Sequence, residues 1–215
     1  MAREAGADET TDARENAVVA EPGRREWLAL AVLAAGLGMI VLDGTIVGVA
    51  LPDIIRDLGM SLGDAEWVNS LYAVVVGSLL LATGSLSDKL GRRTLFVAGM
   101  VVFVASSVFA GMVTTSGMLL TARAAQAVGA AMIMPSTLST VNAVFRGKHR
   151  AMAFGIWGAV ISGAAAIGPL AGGALTQWAS WRWIFFVNLP IGVLLVVAAL
   201  MVVPETHADR RPGYD

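Results

Sequence analysis

Six apolar stretches, at 27–49, 67–86, 94–113, 118–144, 151–175 and 183–203, account for most of the chain, and charged or turn-forming residues separate them. A helix needs about 20 residues to cross the hydrocarbon layer at 1.5 Å per residue, and each stretch meets that length. Strands of a closed barrel would be shorter and would alternate apolar with polar, which these do not. The pattern therefore predicts an all-α, polytopic membrane protein whose spans form one six-helix bundle, each span satisfying its own backbone groups.

Composition strengthens this reading. The chain is 56% hydrophobic and 14% charged with mean hydropathy +0.71, where soluble domains carry roughly 25% charged residues. Bases fall unevenly between the two sides. Arg3, Arg14, Arg24, Arg25, Lys89, Arg92, Arg93, Arg146, Lys148, Arg150, Arg210 and Arg211 share one side, against Arg56 and Arg182 on the other. Twelve against two predicts that both termini are cytoplasmic. Trp27, Trp67, Trp178, Trp181 and Trp183 fall at span ends, where amphipathic rings favour the interface. Residues 1–26 mix charges without a signal-peptide pattern and read as a disordered tail, and 204–215 read as a cytoplasmic segment.

Several chemistries are disfavoured. There is no cysteine, His149 and His207 lie in separate segments, and no GxxxxGK[ST] loop occurs, so disulfides, a metal site and ATP hydrolysis find no support. The spans hold no cluster of His, Cys and carboxylate that would suggest an enzyme. Nothing in the charge pattern asks for nucleic acid. Abundant Arg, Ala and Gly beside scarce Lys point to a GC-rich bacterial source.

Two charged residues lie within the spans, Asp43 in the first and Arg123 in the fourth. Counting from the outer ends, Asp43 is about 10 Å deep and Arg123 roughly 8 to 12 Å deep. A charge at the bilayer centre costs about 2.5–3.5 kcal/mol on insertion scales, so two opposite charges at one depth are expected to be partners facing a cavity. The alternatives are that Arg123 snorkels outward and that Asp43 bonds a neighbouring helix. Gln126, three residues from Arg123, shares its face and could hold the guanidinium or serve packing alone. Desolvation disfavours a carboxylate and a guanidinium favours it, which gives Asp43 a physical route to exchange a proton.

Two further segments stand out. GSLSDKLGRR, residues 84–93, reads as a ten-residue basic hairpin between the second and third spans, carrying Asp88 among Lys89, Arg92 and Arg93. Its plain role is a topology anchor. GIWGAVISGAAAIGPLAGGAL, residues 155–175, carries rows of small residues that let helices approach closely, and Pro169 inside it removes a backbone donor.

These segments resemble the major facilitator superfamily, and within it the fourteen-helix drug:proton antiporter branch. Gly84, Leu86, Asp88, Lys89, Gly91, Arg92 and Arg93 match G-x-L-x-D-[RK]-x-G-R-[RK] at every fixed position. Arg123, Gln126 and Gly129 match R-x-x-Q-G-x-G, with Ala127 in place of a glycine. Gly168, Pro169, Gly172 and Gly173 match the helix-five antiporter motif, with Ala164 for its first glycine. LDGTIVGVALPDI, with Gly48 for Asn, and WRWIFFVNLPIG are similar to segments of the drug-exporting branch.

The resemblance covers about residues 27–215 and implies the amino-terminal half of a proton-driven exporter of drug-like small molecules in a bacterial cell membrane, without a bound cofactor. It implies proton coupling and a substrate cavity at Asp43, Arg123 and Gln126. It also implies a cytoplasmic conformational latch at Gly84, Asp88, Lys89, Gly91, Arg92 and Arg93. The expected partners are the bilayer, protons, a small-molecule substrate, and a missing carboxy-terminal bundle or a second chain. A half-transporter, or a non-transporting membrane partner that works by association, is the alternative.

Overall fold

Residues 22–205 are described by the computed structural model, and nearly all of them are helical. In chain order the helices are α1 (Arg24–Leu58), α2 (Leu62–Leu90), α3 (Arg92–Met112), α4 (Ser116–Val144), α5 (Gly147–Trp178), α6 (Trp183–Phe186) and α7 (Asn188–Val202). The first five, and α6 with α7 taken together, are long and apolar enough to cross a membrane. Of the tail expected at 1–26 and the segment expected at 204–215, residues 1–21 and 206–215 lie outside the described residues, whereas residues 24–26, expected to be disordered, form the first turn of α1.

The helices outrun the apolar stretches. At 35 residues α1 measures about 52 Å, well beyond a hydrocarbon layer of about 30 Å, so its last turns carry Asp53, Arg56 and Asp57 past the apolar region. It ends at Gly59 in the left-handed conformation, φ 58°, with the Met60 amide bonded back to the Ile55 carbonyl at 3.1 Å. Ser61 caps α2 by accepting from the Asp64 amide at 3.1 Å, which starts that helix five residues before Trp67.

The segment 84–93 corrects the reading of a ten-residue hairpin. Helix α2 continues to Leu90 and α3 begins at Arg92, so the reversal takes one residue, Gly91, with φ 98° and ψ 141°. Side chains other than glycine rarely adopt that conformation. The Gly91 amide still donates to the Ser87 carbonyl at 3.1 Å and its carbonyl accepts from the Leu95 amide at 3.0 Å, so the hydrogen-bond ladders of both helices continue up to the turn. The polar residues are there because two helix ends protrude, not because a loop does.

Helix α4 lies between α2 and α3, while α1 packs along α5 and against α7 and α4. Small residues set the closest approach. A Cβ on Gly129 would meet the Gly99 carbonyl oxygen and the Phe103 amide nitrogen, each at 2.6 Å, so α3 and α4 touch backbone to backbone. Two apolar clusters fill the bundle. One holds Leu33, Leu37, Phe96, Met100 and Ile133, and the other holds Ile46, Ile54, Leu119, Ile184 and Phe185. On α1, α3, α4 and the α6–α7 pair, buried polar residues fall between the positions that feed each cluster: Asp43, Ser107, Arg123 with Gln126, and Asn188. Burial is uneven. In the most apolar window of each helix, α1 is 61% buried and α2 and α5 only 11%.

Candidate functional site

Those polar residues meet inside the bundle. Arg123 Nη1 donates to Asp43 Oδ2 at 2.6 Å and to Gln126 Oε1 at 2.7 Å, and Gln126 Nε2 returns to Asp43 Oδ1 at 2.9 Å. The i, i+3 spacing on α4 places Arg123 and Gln126 side by side, so acid, base and amide close a ring. Asn188 Nδ2, at the start of α7, donates to Asp43 Oδ1 at 2.8 Å and to Ser107 Oγ at 2.9 Å. Arg123 Nε donates to the Val68 carbonyl at 3.4 Å, and the guanidinium lies over the Tyr72 ring, 4.3 Å from its centroid.

Asp43 is 1% exposed and Arg123 0%. The pair is thus enclosed by α2, α3 and α7 and does not open on a cavity as the depth argument expected. Ions without water need complete partners, because the desolvation penalty is repaid only by close geometry and full hydrogen bonding. Asp43 has that, with three donors on its two oxygens. The surrounding groups do not: Arg123 Nη2, the Tyr72 hydroxyl and Asn188 Oδ1 are buried without a partner among the described residues.

Sequence reasoning found Asp43, Arg123 and Gln126, and the structure brings them together. It did not find Asn188, Ser107 or Tyr72. Neutral polar residues are common in spans, and the one available signal was Asn188 opening the NLP step where the sixth span breaks at Val187.

The helix-five residues contact the turn that carries Asp43. Gly168 presses on Thr45 of α1, and a Cβ on Gly172 would meet the Ile46 backbone at 3.2 Å, whereas Gly173 faces open space and Pro169 is exposed. Thr45 Oγ1 is itself bonded to the Val41 and Leu42 carbonyls at 3.1 and 2.9 Å, which gives α5 a flat surface to lie on.

At the basic end, Gly84 lies within α2, with Pro135 of α4 the nearest atom to its would-be Cβ at 4.0 Å. Asp88 pairs with Arg92 at 3.7 Å, is about half exposed, and stands beside exposed Lys89. Arg93 turns elsewhere, to Glu205. The Glu205 carboxylate accepts from the Arg93 and Thr94 amides at 3.1 and 3.2 Å and from Thr94 Oγ1 at 2.7 Å, with Arg93 Nε at 3.4 Å. Since Gly91 offers α3 no side-chain cap, Glu205 supplies one from the far end of the chain, with the favourable sign for a helix N-terminus. Glu205→Ala is expected to lower stability by about 1–2 kcal/mol, and Glu205→Gln by less, since the amide keeps an acceptor. Thermal unfolding of the two variants checks this order; equal losses would mean that charge contributes nothing there.

Residues 28–214 match the Major Facilitator Superfamily. The chain belongs to that superfamily. Its bundle is similar to a solved bacterial homologue of the human lysosomal transporter Spinster, in an inward-facing, unoccupied state. The TM-score is 0.70 at 20% identity over 89% of this chain and 46% of that one, a likeness of fold. Among curated superfamily members, the puromycin resistance protein pur8 of Streptomyces alboniger is 42% identical over 200 residues, 93% of this chain and 39% of its own length. The methylenomycin A resistance protein of Bacillus subtilis is 41% identical, covering 86% and 39%. The multidrug efflux pump LfrA of Mycolicibacterium smegmatis is 39% identical, covering 88% and 38%. The chain spans under two fifths of the length of each of these three relatives. It is a multi-pass membrane protein of a transporter superfamily.

Proposed function

We propose that this bundle is the amino-terminal half of a proton-coupled exporter of drug-like, lipophilic small molecules. The observation that carries the reading is the enclosed carboxylate: an acid held by Arg123, Gln126 and Asn188 is a group that can exchange a proton when the surrounding helices part. The functions in the relatives' names, resistance to puromycin and methylenomycin A and multidrug efflux, support the substrate class and direction. Asp43 is the proton-carrying group, Arg123 its counter-ion, and Gln126 the link that keeps the two in register.

In this reading the exposed faces of α2 and α5 dock a second six-helix bundle, and the two rock about the site. Gly168, Pro169, Gly172 and Gly173 allow α5 to move along α1 at the Asp43 turn. Asp88, Lys89 and Arg92, with Gly84 and Gly91 shaping the helix ends, form the basic-end latch against that second bundle. Arg93 is already engaged by Glu205. The membrane is the bacterial cell membrane, and the basic end is cytoplasmic by the excess of bases there.

The test is dye and drug accumulation in an efflux-deficient host that expresses the complete reading frame, with and without an uncoupler. Accumulation is expected to fall, to recover when the proton gradient is collapsed, and to stay at the empty-vector level in Asp43→Asn. Full efflux by Asp43→Asn would sink the assignment of the proton to this residue.

A further inference from the structure

Two amides hold Asp43 Oδ1, and they are not equivalent. Gln126 is engaged at both ends, with its nitrogen on Asp43 and its oxygen on Arg123. Asn188 uses both hydrogens of Nδ2, one for Asp43 and one for Ser107, and leaves its Oδ1 buried with no partner. A buried acceptor left without a hydrogen bond is destabilising, so this amide has a reason to rearrange. Ser107 Oγ passes its own hydrogen to the Phe185 carbonyl at 2.9 Å. That carbonyl lies just before Val187, where the sixth span is broken between α6 and α7. A row of hydrogen bonds therefore links the Asp43 carboxylate, through Asn188, which donates both ways, and Ser107, to the backbone at the break.

We propose that the Asn188 side-chain amide reads the protonation state of Asp43 and passes it to the break in the sixth span. This rests on the proton-exchange reading of Asp43 given above. When a proton from water bonds to Oδ1, that oxygen becomes a donor, and the Asn188 N–H facing it no longer meets a free acceptor. Gln126 cannot turn without breaking its bond to Arg123. Asn188 can: a half-rotation about its terminal torsion exchanges Oδ1 for Nδ2. Oδ1 then accepts the Asp43 O–H and the Ser107 hydroxyl hydrogen, and the Phe185 carbonyl loses its donor. The displaced Nδ2 and that carbonyl are then both without partners, which makes the α6–α7 step the place where the helix must adjust.

The other groups facing Asp43 leave this role to Asn188. Helix α4 brings Arg123, permanently charged, and Gln126, pinned by it. Helix α2 brings Tyr72, whose ring lies under the guanidinium. Helix α3 brings Ser107, and α5 meets the Asp43 turn through Gly168 and Gly172, which carry no titratable group.

The experiment is pH-difference infrared spectroscopy of the protein expressed from its complete reading frame, purified into lipid nanodiscs, with asparagine side chains carbon-13 labelled. On lowering the pH, a carboxyl carbonyl band is expected that Asp43→Asn removes. A labelled amide band that Asn188→Ser removes is expected to shift at the same midpoint. If Asn188→Ser does not fold, Asn188→Gln, which keeps an amide but carries no label, makes the assignment. A titrating carboxyl with a motionless amide would overturn the switch and leave the proton reading standing. No Asp43 carboxyl band at any pH would overturn both. Ser107→Ala adds the relay test: the amide shift is expected to persist while proton-driven efflux is lost, and unchanged efflux would overturn the relay to Phe185.

Discussion

Arg123→Leu is expected to be the most destabilising single change to a polar residue of this bundle, at about 3–5 kcal/mol, because it leaves the enclosed Asp43 carboxylate without its counter-ion. The cost is mostly that of the stranded group. Asp43 would keep the Gln126 and Asn188 amides on Oδ1 but lose the 2.6 Å ion pair on Oδ2, and Gln126 Oε1 would lose its donor. Asp43→Leu should fail in the mirror sense, with a buried guanidinium left on amide and carbonyl acceptors alone. Removing both charges is different. In Asp43→Leu with Arg123→Met no ion remains to be solvated, and well-packed apolar replacement of a buried pair is often neutral or better. Intrinsic tryptophan fluorescence during thermal unfolding, on the two single variants and the double, forms the cycle. Losses that add to within about 0.5 kcal/mol would mean that the residues do not interact, contrary to the geometry. The double variant should be folded and transport-dead, which separates holding the bundle together from moving a proton.

Charge made part of this site legible. Lone Asp43 and Arg123 in apolar spans had to be reconciled with the membrane, and matching depth pointed each to the other. Depth alone could not say whether the pair faced a cavity or was enclosed, because enclosure depends on Tyr72 of α2, Ser107 of α3 and Asn188 of α7. Asn188 and Ser107 left no trace in hydropathy, since a neutral amide or hydroxyl is readily absorbed by a helix neighbour. The basic segment misled for a related reason. Asp88, Lys89, Arg92 and Arg93 look like a loop by composition, but a helix longer than the apolar layer carries charges without ending. Only the φ of Gly91 ends it. Glu205, although the first acid after the sixth span, gives no sequence sign that its partner amides lie more than a hundred residues earlier.

Gly129→Val should abolish recovery of monodisperse, folded protein, whereas Gly77→Val should leave folding untouched and still stop transport. At Gly129 the added carbon would meet a carbonyl oxygen and an amide nitrogen at 2.6 Å and the Phe103 Cα at 2.9 Å. Those are backbone atoms of α3, which cannot swing aside as a side chain does, so the cost exceeds the about 1–3 kcal/mol usual for an overfilled core. At Gly77, on sparsely buried α2, a Cβ meets nothing within 4 Å, and the same holds at Gly158 on α5. A substitution into open space changes stability by about 0.5 kcal/mol or less. In the proposed architecture, glycine there leaves room for a helix of the second bundle to pass close to α2 and α5, and a valine would hold the two apart. Size-exclusion profiles read the first effect. Efflux in the complete reading frame reads the second, with at least a tenfold loss expected for Gly77→Val and Gly158→Val. Full efflux by both variants would instead make this face a lipid-facing surface and remove the close docking from the proposed architecture.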